Sequence, residues 1–158
     1  HDEIASSITD LDFVKNVGIK KIYPDKIKIN INEHKIVAVI SNNESKYMLS
    51  KEGHIIENYN DKFNSLPVIY GKNTENYFPY FYKLLNDINF DLSKIKHLKY
   101  FESNRWDIFL KDGKLIKLSS DKSEAKESLT NFIAIYSDKK FEQYKIFDFR
   151  VKNQLILK

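Results

Sequence analysis

Apolar and polar residues alternate most regularly over Lys26–Asn32, where Ile27, Ile29 and Ile31 are separated by Lys28 and Asn30. A period of two predicts a strand with the isoleucines sharing one face, and lysine on the other face suits a solvated side. The isoleucine face is therefore expected to point inward. Upstream, Ile4, Ile8 and Leu11 recur at helical spacing, which predicts a short helix over His1–Val14. Val17 and Ile19 then alternate with polar neighbours up to Tyr23-Pro24-Asp25, a turn because its proline cannot join a ladder. The apolar run Ile36–Ile40 predicts a strand buried on both faces.

From about residue 46 the pattern shortens. Tyr47–Leu49 and Ile55-Ile56 flank Lys51-Glu52-Gly53, a hairpin closed through glycine. Leu66–Tyr70 is a short extended piece. Thr74–Asn86 reads as a helix with Tyr77, Phe81, Leu84 and Leu85 on its core stripe, and Pro79 is tolerable there only near the first turn. Ile95–Phe101 is a strand. Arg105–Leu118 is a hairpin that places Trp106, Ile108 and Leu110 on one face and turns at Asp112-Gly113, a pair suited to a two-residue turn. Asp121 with Glu124 forms a capping-box pattern that opens a helix to about Ser137, with Ala125, Leu129, Phe132, Ile133 and Tyr136 inward. Tyr144–Arg150 and Val151–Leu157 both read as strands. The class is α+β, a mainly antiparallel sheet with short helices.

Composition narrows the functions. A chain of 158 residues with 42% apolar and 30% charged residues can bury a core, and its net charge of +4 is too low for disorder. It has no cysteine, which excludes disulfides, thiolate metal sites and a cysteine nucleophile. No run approaches the roughly 20 apolar residues that span a bilayer. Of its 26 basic residues only Arg105 and Arg150 are arginine, and the lysines are scattered among 22 acids. That is a poor electrostatic footprint for nucleic acid, although a lysine-rich α+β module using the aromatic cluster is the alternative reading.

Candidate chemistry is sparse. His1, His34, His54 and His97 share no metal-ligand spacing. The glycines are isolated, so there is no phosphate loop, and no Gly-x-Ser-x-Gly elbow offers a nucleophile. The carboxylate pairs Asp10/Asp12 and Glu124/Glu127 read as surface charge. Two features remain. Tyr77, Phe78, Tyr80, Phe81 and Tyr82 form an aromatic cluster, either a stacking platform or a helix wedged into the core. Arg150, in a strand pattern near the end of the sequence, suits a bidentate carboxylate, which belongs either to a partner or to a neighbouring acid.

Several separated patterns align with one family. Leu11-x-Phe13-Val14-Lys15, then Lys20-Lys21-Ile22-Tyr23-Pro24-Asp25-x-Ile27-x-Ile29-x-Ile31-x-Glu33, then Val37-Ala38, resemble the second half of the POTRA domain of FtsQ/DivIB. Leu49-x-x-x-x-Gly53-x-Ile55, Leu66-Pro67-x-Ile69-x-Gly71, Arg105-Trp106-x-Ile108-x-Leu110-x-x-Gly113 and Asp148-Phe149-Arg150 resemble its β domain in the same order. Tyr23 replaces the usual tryptophan, Lys20 and Lys21 replace arginines, and Ile36 stands where proline is common.

The resemblance implies a partial POTRA unit over residues 1–40 and a β domain over 41–158, with the first POTRA strand and helix and the membrane helix outside this sequence. It implies a non-enzymatic divisome scaffold without cofactor or metal, in the periplasm and anchored in the inner membrane. It implies FtsB and FtsL as partners among other divisome proteins, bound at the C-terminal edge by Arg150, Val151, Lys152, Asn153, Gln154 and Leu155. Arg150 is implied to pair with a partner carboxylate, and the edge to accept a strand by β-augmentation.

Overall fold

The computed structural model describes residues 2–158, and side chains from Glu3 onward. His1, where the expected first helix begins, lies outside the described residues. That helix, α1, runs Asp2–Thr9 and stops short of Val14. It leads into β1 (Val14–Ile22) and β2 (Lys26–Glu33), an antiparallel ribbon turned at Tyr23–Asp25. A two-residue link, His34-Lys35, then enters a nine-stranded sheet. Its strands are β3 (Ile36–Ser41), β4 (Lys46–Ser50), β5 (Ile55–Ile56), β6 (Val68–Tyr70), β7 (Ile95–Phe101), β8 (Arg105–Leu110), β9 (Leu115–Lys117), β10 (Ile146–Asp148) and β11 (Ile156–Leu157). Helices α2 (Thr74–Asp87) and α3 (Lys122–Ile135) complete the chain.

The sheet order is β11-β10-β9-β8-β7-β6-β3-β4-β5. The pairs β3–β6, β6–β7 and β9–β10 are parallel and the others antiparallel. Parallel neighbours need a crossover, and α2 bridges β6 to β7 while α3 bridges β9 to β10. Both helices cover one face of the sheet. Phe78, Phe81 and Leu85 of α2 and Leu129 and Phe132 of α3 join Ala38, Ile69, Leu98, Ile108, Ile116 and Phe147 in a single core. The fold is α+β with a mainly antiparallel sheet. Among the described residues no helix is long and apolar enough to cross a membrane.

Several expectations change. Ile27, Ile29 and Ile31 do share a face, but they are 51%, 43% and 49% exposed. Alternation reports which residues lie together, whereas burial requires a second layer, and β2 pairs only with β1. In α2 the core position expected for Tyr77 is taken by Phe78. Pro79 lies beyond the first turn, where its missing N–H leaves the Glu75 carbonyl without its helical donor. Gly53 sits against that carbonyl: with φ +88°, a Cβ there would fall 2.4 Å from it.

The turn after β8 is also different. The Gly113 N–H donates to the Leu110 carbonyl (3.1 Å) and the Leu110 N–H to the Lys114 carbonyl (2.8 Å). Gly113 alone of the pair takes positive φ, so this is a turn followed by a left-handed glycine, not the two-residue form. In α3, Asp121 caps the Glu124 N–H (2.9 Å) as expected, but the return arm passes through Ser119. The Ser119 Oγ donates to the Glu124 carboxylate (2.8 Å) and accepts from the Asp121 N–H (3.2 Å). Ile133, expected in the core stripe of α3, is exposed, and Tyr136 is half-buried. Strand β10 covers only the middle of the expected Tyr144–Arg150. The division at residues 40/41 falls at the end of β3, which lies inside the nine-stranded sheet.

Candidate partner-binding edge

The expected last strand, Val151–Leu157, is strand only at Ile156–Leu157. Residues 151–154 form a turn closed by the Gln154 N–H on the Val151 carbonyl (3.1 Å), with Asn153 in the left-handed region at φ 58°. The cause is local. The Phe149 N–H still follows β9 through the Lys117 carbonyl (2.8 Å), but the next amide, of Arg150, donates to the Asp148 side chain (3.1 Å) and leaves the ladder. The chain then loops out and returns as β11, where Phe147 faces Leu157 and Asp148 faces Ile156. Sequence pattern missed this because the residues of an Asx-type turn also fit a strand pattern.

Arg150, Val151, Lys152, Asn153, Gln154 and Leu155 thus form one loop beside a short edge strand. All but Arg150 line a cavity of about 340 Å³ against Glu124, Glu127, Ser128 and Asn131 of α3. Lys152 Nζ lies 3.6 Å from Glu124 Oε1, and Val151 is 48% exposed.

Arg150 meets an acid within the chain. Its Nε donates to Asp148 Oδ1 (2.8 Å) and its Nη2 to Oδ2 (2.6 Å), a bidentate pair with a side chain only 7% exposed. These bonds hold the Asp148 carboxyl below its ordinary range against the opposing effect of burial. The side chain of Arg150 remains 45% exposed, and its Nη1 donors remain for a second acceptor.

The other arginine also pairs with an aspartate two residues away, through a single bond. Arg105 Nη1 bonds Asp107 Oδ1, and its guanidinium lies 3.8 Å from the centroid of the Phe101 ring. Burial pushes the Asp107 carboxyl up, with Arg105 opposing. Cross-strand register places Lys99, Asp107, Lys117 and Asp148 in one row across β7–β10. Strand alternation puts this row on the face away from the helices. The sequence reading gives Arg105 no ion-pair role. The signal was present, because Arg105/Asp107 and Asp148/Arg150 are the two arginines at i,i+2 from an aspartate within a strand pattern.

The aromatic cluster divides. Phe78 and Phe81 are core, while Tyr77 and Tyr80 are 44% and 49% exposed. Tyr77 stacks on Tyr100 at 4.6 Å, Phe81 on Trp106 at 4.8 Å, and Lys122 Nζ sits 4.0 Å over the Tyr80 ring. They line a groove of about 370 Å³ between α2 and α3. His34 and His54, which share no metal-ligand spacing, are stacked at the junction of ribbon and sheet. Among the described residues no group of three or more His, Cys, Asp or Glu could hold a metal ion.

Residues 38–150 match the family model described as cell division protein FtsQ/DivIB, C-terminal. The chain is 26% identical over 118 residues to cell division protein FtsQ of Rhizobium meliloti, covering 74% of this chain and 38% of that protein. It is 28% identical over 158 residues to FtsQ of Rickettsia bellii, covering 97% and 57%. The extracytoplasmic domain of DivIB from Geobacillus stearothermophilus superposes with TM-score 0.48 at 16% identity, covering 68% of this chain and 96% of that one. The chain thus spans between about two fifths and three fifths of the length of these FtsQ proteins.

Proposed function

Because the chain belongs to the FtsQ/DivIB family of cell division proteins, we propose that it is a non-enzymatic divisome scaffold that binds the periplasmic segments of FtsB and FtsL at its C-terminal edge. In this reading residues 1–40 are the end of a POTRA unit and 41–158 the β domain, held in the periplasm by an inner-membrane anchor. The observation that carries it is the outer rim of the sheet. Ile156, Leu157 and the Lys158 backbone cover β10 there, and β11, the last strand of the sheet, offers the unpaired backbone groups of its outer side to an added strand. Beside it stands Arg150, half-exposed and held in a fixed orientation by Asp148, with donors left for a partner carboxylate.

Calorimetry with FtsB and FtsL segments from the same organism tests the reading. The parent binds, and Val151→Asp, at an exposed loop position, weakens binding on the order of tenfold by repelling an acidic segment. Melting curves of the same samples verify that Val151→Asp stays folded. Absence of binding by the parent, or equal binding by Val151→Asp, refutes it. A polynucleotide control separates the lysine-rich alternative, whose affinity would fall steeply with salt.

A further inference from the structure

Where the ribbon joins the sheet, His34 and His54 lie with ring centroids 4.3 Å apart and planes 14° from parallel. His34 belongs to the short link between β2 and β3, and His54 follows the glycine turn between β4 and β5. Each ring also faces the other unit. His54 Nε2 is 3.1 Å from the carbonyl of Asp12, in the segment entering β1. The Nδ1 of His34 is buried without a hydrogen-bond partner, 3.9 Å from Glu52 Oε2. Glu52 in turn holds Lys15 of β1 at 2.6 Å, with Lys51 4.0 Å away. Asp10, Asp12, Glu33 and Lys62 line the adjoining cavity, of about 480 Å³, together with His34.

These groups tie two bodies that also share the apolar lining of that cavity, with Leu11 and Phe13 on the ribbon side and Ile36, Met48, Ile56 and Phe63 on the sheet side. The ribbon hydrogen-bonds no strand of the large sheet. We propose that the His34–His54 stack is a proton-sensitive latch, holding the ribbon at a fixed angle to the sheet and releasing it on acidification.

The electrostatics follow from the geometry. Protonating either ring places an imidazolium against its stacked neighbour, and protonating both sets two like charges face to face. Burial, and then His54, hold the His34 pKa below its ordinary value, with Glu52 opposing. Released, His34 titrates near the ordinary histidine value of about 6.5. The released joint therefore binds more protons than the closed one as pH falls. Closure is fully present above that value and weakens below it. Glu52 adds a second loss in more acid solution, since the Lys15 bond holds its pKa below the ordinary glutamate value.

Residual dipolar couplings of the ribbon and sheet amides test the latch at about pH 7.5 and about pH 5.5, on either side of the ordinary histidine value. The expected result is one alignment tensor for both bodies at the higher pH. At the lower pH the ribbon couplings drop by about twofold or more while those of the sheet are unchanged. His34→Phe and His54→Phe keep a stacked ring without a titrating proton, so the response shrinks in each. Because His34 is the more buried, His54→Phe alone suffices if the other variant does not fold. A single tensor at both pH values, or variants that respond as the parent does, overturns the proposal.

Discussion

Replacing Arg150 by alanine tests whether its bond to Asp148 stabilises the fold. An exposed ion pair contributes about 0–1 kcal/mol, whereas removing one partner of a buried pair costs about 3–5 kcal/mol. Here Asp148 is 6% exposed and the Arg150 side chain 45% exposed, so the pair lies between these limits. Truncation strips two donors from the carboxylate but leaves the amide of residue 150 and places Lys117 opposite. The expected loss is about 1–2 kcal/mol at neutral pH. The sign with pH is definite. Arg150 holds the folded Asp148 pKa down, so the stability it supplies is present above the ordinary carboxylate value and is lost as pH falls through the folded one. Urea unfolding at about pH 7 and about pH 2, with Asp148→Asn completing a double-mutant cycle, separates the pair energy from other effects. A loss below about 0.5 kcal/mol at neutral pH, or one undiminished in acid, refutes the reasoning. Arg150→Glu is more damaging to folding than alanine, since it sets two carboxylates together.

Ile29→Ala is expected to cost about 1 kcal/mol or less in urea unfolding, because the side chain is half-exposed and rests mainly on Ile19 across the ribbon; a loss above about 2 kcal/mol would place a covering layer there. Gly53→Ala is expected to lower the melting temperature by several degrees through both its positive φ and the Glu75 carbonyl, and an unchanged melt would show that the hairpin moves freely away from α2. Tyr136 donates to Asp112 (2.6 Å), which with burial pushes its phenol up to about 12. Ultraviolet titration should show a phenol ionising near that pH, and Asp112→Asn should bring it back toward about 10; an unchanged late phase would mean that burial alone is responsible.

Legibility varied with how local each determinant is. The sequence pattern finds Ile95–Phe101 and the α3 cap because alternation and an Asp-x-x-Glu spacing are properties of a few consecutive residues. Ile27, Ile29 and Ile31 mislead because burial is decided by what packs on the ribbon. Phe78 and Tyr77 are adjacent on one helix, and hydrophobicity alone separates them poorly when both are aromatic. The loop at 151–155 hides behind strand-forming Val151, Leu155 and Ile156, and the Asp148–Arg150 contact that diverts the chain shows only as an i,i+2 spacing. The approach of His34 to His54 depends on the ribbon's attachment and has no signature in sequence.

Strand β6 has a mechanical consequence. The nine strands comprise a β3–β4–β5 meander and the β7–β11 segment, and the three residues Val68–Tyr70 are the strand that hydrogen-bonds to both. On its β3 side the register holds only Val39 against Val68 and Ile40 against Ile69, helped by the Val39 N–H on the Pro67 carbonyl (3.0 Å). The chain before β3 and the chain after β6 leave the sheet on opposite sides of that seam. Tension applied between the ribbon and the β11 rim must cross it, and few bonds there resist separation. A pulling experiment between these two ends is expected to rupture at β3–β6 first, with the β7–β8 hairpin intact, so the sheet would yield under load as two pieces rather than fray from its edges.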